Sequence, residues 1–231
     1  MVSESIAPTI WSKVGIVAFW LALVGGSAEV LRRRVPSQPE LVRKVVHIGA
    51  GNVILLARWL QIPAWIGISA SILFAAVSLV SYRYPVIPGL DSVGRKSLGT
   101  FFYAVSIGVL IAVFWSVQLP EYAVVGILVM TWGDGMAALV GQRWGRHPYR
   151  LWGINKSWEG SLTMAIASYW VCALVLLAVQ GNIWQTWCVG AIVAATAAGL
   201  EAFSRLGIDN LTVPIGAAAL CYGVNQLWLV A

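Results

Sequence analysis

Residues Ile10–Leu31 read IWSKVGIVAFWLALVGGSAEVL, and Arg32, Arg33 and Arg34 follow at once. A helix needs about 20 mainly apolar residues to cross the hydrocarbon core of a bilayer, more than the apolar region of a signal peptide supplies. The basic triplet acts as a stop. No Ser- and Arg-rich transit segment precedes the stretch, so it is expected to remain in the protein as a spanning helix.

Seven further segments meet the same criterion: Val45–Trp59, Ile62–Tyr82, Leu98–Leu119, Tyr122–Gly141, Ser161–Val179, Ile183–Phe203 and Leu211–Val230. The second is short, and a re-entrant segment there would leave seven spans. The expected fold is an all-α, polytopic integral membrane helical bundle of about eight spans. It is expected to form a single domain over residues 1–231.

Composition excludes the other classes. Hydrophobic residues make up 59% of the chain and charged residues 10%, against about 45–50% and about 25% in soluble domains. So little charge could not cover a water-soluble surface of this size. The net charge of +6 raises nucleic acid as a partner, but in so apolar a chain the basic residues answer first for topology. No nucleic acid is expected. Cys172, Cys188 and Cys221 lie in apolar runs without ligand spacing and read as packing residues.

With the N-terminus outside, four connections face the cytoplasm: Arg32–Lys44, Arg83–Ser97, Gln142–Lys156 and Ser204–Asn210. They hold all of the 15 Lys and Arg residues except Lys13 and Arg58, as the positive-inside rule requires. Trp11, Trp59, Trp65, Trp115, Trp184, Trp187 and Trp228 fall near the outer ends, at headgroup level.

The chain has nine acidic residues. Glu4 and Glu121 lie at the outer side. Glu29, Glu40, Asp91, Asp134, Glu159, Glu201 and Asp209 gather at the inner ends of helices or in the inner loops. A charge at mid-bilayer costs about 2.5–3.5 kcal/mol, so intramembrane acids have partners or a task.

The densest polar stretch is Thr131–Ser161, TWGDGMAALVGQRWGRHPYRLWGINKSWEGS. Asp134 lies between Gly133 and Gly135, which allow backbone or ligand to come close. Gly141, Gly145, Arg143, Arg146 and Arg150 follow, and Lys156, Ser157 and Glu159 lead into the next helix. Two carboxylates, a basic loop and a lysine are the parts of a magnesium–polyphosphate site. Positive-inside determinants that touch anionic lipid explain the arginines equally well. Arg43, Lys44 and His47 open the second span, with Arg43 and His47 one turn apart. Glu201 and Arg205 stand at i, i+4, where an ordinary surface ion pair explains them nearly as well as catalysis. Asp209 or Asn210 reads as the cap of the last helix. The nucleotide-binding motifs GxxxxGK[ST] and GxGxxG are absent.

In chain order, Arg43-Lys44-x-x-His47, Gly133-Asp134-x-x-Ala137-x-x-x-Gly141-x-x-x-Gly145, Lys156-Ser157-x-Glu159-Gly160-Ser161 and Glu201 with Asp209-Asn210-Leu211-Thr212-Val213-Pro214 resemble the CTP-dependent polyprenol kinase family. That family includes dolichol, phytol and farnesol kinases, and has a remoter likeness to phosphatidate cytidylyltransferases. The similarity is greatest to its cyanobacterial and plastid phytol kinases. It spans Arg43 to Pro214.

The resemblance implies transfer of the γ-phosphate of CTP, or of UTP in its place, to phytol or a similar isoprenoid alcohol such as farnesol or geranylgeraniol. Phytyl phosphate for tocopherol and prenyl-lipid synthesis would be the product, with Mg²⁺ as cofactor. Asp134 would bind Mg²⁺ or accept the hydroxyl proton, and Glu159 and Asp209 would bind Mg²⁺. Lys156, with Arg143 or Arg146, would hold the phosphates. Gly135, Gly141, Gly145 and Ser157 would lie along the nucleotide, Arg43 and His47 would line the pocket, and Asn210 would orient a ligand. Glu29 and Glu201 are secondary candidates. The site would face the cytoplasm of a cyanobacterial plasma or thylakoid membrane, or the stroma at a plastid envelope. The alternatives are a cytidylyltransferase acting on a lipid phosphate, and a transporter or lipid-binding scaffold.

Overall fold

The structure, a computed structural model, describes residues 9–84, 98–151 and 153–230. Glu4, Asp91 and most of the expected connection Arg83–Ser97 lie outside these residues. The described chain is a helical bundle with one short hairpin. Its elements are α1 (Ile10–Arg34), α2 (Pro39–Gly51), α3 (Val53–Trp59), α4 (Ala64–Arg83), α5 (Gly99–Leu110), α6 (Pro120–Leu128), α7 (Gly135–Trp144), β1 (Pro148–Leu151), β2 (Ile154–Ser157), α8 (Trp158–Gln180), α9 (Trp184–Ala202) and α10 (Asp209–Val230).

Among the described residues, four helical stretches are long and apolar enough to cross a membrane: Ile10–Arg34, Ala64–Tyr82, Pro120–Trp144 and Trp158–Gln180. With no water in the bilayer core, each backbone group must be satisfied within its own segment, which is why the apolar runs become helices. α2 and α3 are nearly continuous, separated only by Asn52, whose backbone stays close to helical (φ −66°, ψ −10°).

The organising element is the rod formed by α6, a wide π-helical stretch Val129–Asp134, and α7. Every residue of α6 is buried except Glu121, which is half-buried. Around this rod pack α2, α3, α5, α8 and α10; α9 packs outside on α8 and α10, α4 on α5, and α1 on α2 and α3. Small residues permit the close approaches. A Cβ on Gly126 would stand 2.9 Å from Ala218 Cβ and would strike the carbonyl of Pro214 in α10.

Two features depart from the sequence reading. The expected loop Gln142–Lys156 contains an antiparallel hairpin, with Tyr149 opposite Lys156 and Arg150 opposite Asn155. Gly153, at φ +82°, makes its turn. The rod also changes to wide π turns just before Asp134. Such turns insert an extra residue and rotate the helix beyond it, and they often occur at functional sites.

At the end remote from Asp134, buried Asn225 donates to Tyr122 Oη (3.0 Å) and Gln180 Oε1 (2.8 Å), tying α10 to α6 and α8. Cys172 and Cys221 are buried free thiols with their sulfurs 3.8 Å apart.

Candidate active site

α2 starts at Pro39, whose missing N–H costs nothing at a helix start. Three glycine-mediated contacts seat it. A Cβ on Gly135 of α7 would lie 2.8 Å from Ile48 Cγ1, one on Gly49 would lie 2.6 Å from Val24 Cγ1, and one on Gly51 would collide with Thr131 and Tyr103. On the other side of Asp134, a Cβ on Gly133 would meet Met164 and Ser168 of α8. The glycines flanking Asp134 therefore let two helices close around it.

In that seat Lys44 and His47, three residues apart, face Asp134. Lys44 is buried and its Nζ bonds both the carboxylate and the main-chain carbonyl of Asp134. His47 Nε2 lies 3.7 Å from the same carboxylate oxygen and 3.4 Å from the Met130 carbonyl. The His47 ring packs on Tyr103 with centroids 4.7 Å apart. Thr131 donates its hydroxyl proton to the Ile127 carbonyl (2.6 Å), so Tyr103 Oη, 2.6 Å from Thr131 Oγ1, is the donor in that pair. Arg43 turns outward and binds Glu40 through Nε (2.9 Å).

A second ion pair, between buried Glu201 and half-buried Lys156, stands beside the first. Lys156 Nζ binds the Glu201 carboxylate and, at 3.2 Å, the Glu201 carbonyl, tying β2 to the end of α9. Glu201 thus pairs across the fold with Lys156, and the surface pair with Arg205 read from their spacing is not formed.

Leu206 and Gly207, both at positive φ, make the turn into α10. The Asp209 N–H donates to Ser204 Oγ (2.6 Å), so Ser204 supplies the capping oxygen. Asp209 Oδ1 accepts from the Asn210 N–H (3.0 Å) and Asn210 Nδ2 (3.1 Å). Pro214, inside α10, lacks the N–H that would bond the Asn210 carbonyl four residues back. Burial and the nearby charge of Asp134 push the Asp209 carboxyl up. Lys44, Lys156 and Arg43 all lie within electrostatic reach of Asp209, but none touches it. Among the described residues, no cation bonds its carboxylate directly.

Asp134, His47, Arg43, Lys156, Glu201, Asp209 and Asn210 are thus gathered at one end of the bundle. The other candidates make contacts of their own. Glu159 accepts from the His147 N–H (3.2 Å) and lies 2.7 Å from His147 Nδ1 at the base of the hairpin. Ser157 caps α8, its Oγ accepting from the Gly160 N–H at 3.2 Å. Gly141 and Gly145 lie against Ser157, where a Cβ on Gly141 would be 3.1 Å from its Oγ. Arg143 and Arg146 are exposed, Arg143 over the Trp144 ring at 5.3 Å. Glu29 is held by Arg32 and Arg33 on α1 (2.8 and 2.7 Å). Lys44 received no separate role from the sequence. Its signal was its place in the motif with Arg43 and His47, three residues before a histidine on the same helix.

No protein-family model and no solved structure matches the chain. Curated proteins do. The chain is 51% identical over 227 residues to the phytol kinase of Synechocystis sp., covering 98% of this chain and 97% of that one. It is 30% identical to the probable phytol kinase 2, chloroplastic, of Glycine max, over 90% of this chain and 73% of the relative. It is 28% identical to the phytol kinase 1, chloroplastic, of Arabidopsis thaliana, over 87% and 74%. The chain belongs to the phytol kinase family.

Proposed function

We propose that this chain, acting as one domain, is a phytol kinase that transfers the γ-phosphate of CTP, or of UTP, to the phytol hydroxyl. The products are phytyl phosphate, a precursor for tocopherol and related prenyl lipids, and the nucleoside diphosphate. The observation that carries the reading is the gathering of Asp134, Lys156, Asp209 and Arg43 at one end of an apolar bundle, in a chain 51% identical to a phytol kinase.

The isoprenoid tail stays among the helices and the hydroxyl comes to that end, where a nucleotide arrives from water. With the N-terminus outside, this is the cytoplasmic or stromal face. Asp134 accepts the hydroxyl proton as the oxygen attacks the γ-phosphorus and the bond to the β-phosphate oxygen breaks. Lys156, Arg43 and the loop residues Arg143 and Arg146 hold the phosphates. Phosphoryl transfer depends mainly on positioning and charge, so this set suffices.

The residues fit Mg²⁺. Among the described residues no three acids or histidines form a cage, and Mg²⁺ is usually held by one or two carboxylates plus substrate phosphates. Asp209, which no cation bonds among the described residues, is the carboxylate best placed to hold it. Bound there, Mg²⁺ would neutralise charge on the β- and γ-phosphates.

Incubation of the purified protein with phytol, Mg²⁺ and CTP should release CDP and phytyl phosphate. Release of pyrophosphate with a lipid phosphate as acceptor would instead identify cytidylyl transfer.

A further inference from the structure

Lys44 is the least exposed charged residue among those described, with 1% of its surface accessible. Burying an ammonium is costly unless a counter-charge and further hydrogen bonds accompany it. Asp134 supplies both, through its carboxylate and its main-chain carbonyl. The two contacts have different consequences. The first fixes the carboxylate in its charged form. The second holds the carbonyl of the last π-helical residue, at the junction with α7. Lys44 thereby ties down the turn whose register decides where the Asp134 side chain points.

Nearby cations do not duplicate this. Arg43 is turned to Glu40, Lys156 is bound to Glu201, and His47 stands 3.7 Å from Asp134 without a hydrogen bond to it. The position of Lys44 is itself fixed by the tight contacts of Ile48, Gly49 and Gly51 on either side of α2.

We propose that Lys44 is the positioning residue for Asp134: it holds the carboxylate and its backbone turn in the orientation that meets the acceptor hydroxyl. The inference rests on the phosphotransfer reading above. It assigns Lys44 an effect on the chemical step, exerted through Asp134, and none on nucleotide affinity. A displacement of about 1 Å in a reacting group can cost about 100-fold in rate.

The test uses the full chain in detergent, with wild type, Lys44→Met, Lys44→Arg, Asp134→Asn and the charge-neutral double variant Lys44→Met/Asp134→Asn. Wild-type turnover is measured first, and its absence would defeat the kinase reading itself. Given an active wild type, Lys44→Met should lower kcat by about 100-fold while KM for the nucleotide stays within about threefold. Lys44→Arg should recover part of the loss. The double variant, which leaves no unpaired buried charge, should be no slower than Asp134→Asn alone. Near-normal kcat in Lys44→Met would overturn the inference, as would a loss confined to nucleotide KM. Multiplied losses in the double variant would do so too, because they would mean that Lys44 acts independently of Asp134.

Discussion

Ile48 of α2 rests on Gly135 of α7 so closely that a Cβ on the glycine would lie 2.8 Å from Ile48 Cγ1. Gly135 is the residue after Asp134, and Ile48 the residue after His47, so this one contact sets the spacing between the two faces of the site. Gly135→Val should force α2 outward, cost about 1–3 kcal/mol of stability as overpacking does, and lower kcat by roughly tenfold or more. Adding Ile48→Ala to Gly135→Ala should restore turnover by making room for the new methyl group. Thermal melting and kcat measured on the same preparations check both statements.

The Lys156–Glu201 pair fastens the hairpin to α9. Removing one partner of a fully buried ion pair costs about 3–5 kcal/mol, and losing Glu201 should cost less, because the Lys156 left behind is 20% exposed. Glu201→Gln keeps an acceptor for the ammonium but loses the charge. It should destabilise less than Glu201→Leu and should raise KM for the nucleotide by freeing Lys156 from its place. Melting temperatures of the two variants and nucleotide titrations of Glu201→Gln provide the check.

How far the sequence reached is clearest at these pairs. The apolar runs were legible as helices because bilayer thickness acts on composition, and Asp134 stood out as an acid between glycines. Glu201 was read with Arg205 because local spacing shows only neighbours on one helix, whereas its partner Lys156 lies 45 residues away. The Lys44–Asp134 contact joins residues 90 apart, set by the way α2 packs on α7. The π-helical turns left no periodic signal, and the hairpin offered only Gly153 as a turn residue within a short basic stretch.

Two helix ends far from the site carry a backbone cost. Gln61 (φ 52°) and Gln118 (φ 64°) adopt the left-handed conformation. Gln61 closes α3 and Gln118 closes the π-helical stretch Ile111–Trp115 that continues α5, and in each the next N–H reaches back five residues, from Ile62 to the Ala57 carbonyl and from Leu119 to the Phe114 carbonyl (2.9 Å each). Glycine is the usual residue there because it lacks the Cβ clash. Gln61→Gly and Gln118→Gly should each stabilise the protein by about 0.5–1 kcal/mol. Turnover should be unchanged, as melting in detergent beside a kinase assay would show.

Glu40 gives a pH dependence of stability. Burial pushes its carboxyl up, but hydrogen bonds from Arg43 and the charges of Arg43 and Lys44 outweigh this and leave it below its ordinary value. Because the folded value lies below the unfolded one, the stabilisation is fully present above the ordinary carboxylate range. It is lost as pH falls through the lowered value. Glu40→Gln should therefore be less stable than wild type at neutral pH, and the difference should shrink below about pH 4. Melting temperatures of both proteins across that range provide the check.

The central claim is that Asp134 serves phosphoryl transfer to a lipid alcohol. Its most direct measurement supplies γ-labelled CTP, Mg²⁺ and phytol to purified wild type and to Asp134→Asn, with equal folding verified by melting. Label should move into phytyl phosphate with the wild type and slow by about 10²–10⁴-fold in the variant. Near-normal transfer by Asp134→Asn would contradict the claim, as would a folded wild type that labels neither phytol, farnesol nor geranylgeraniol.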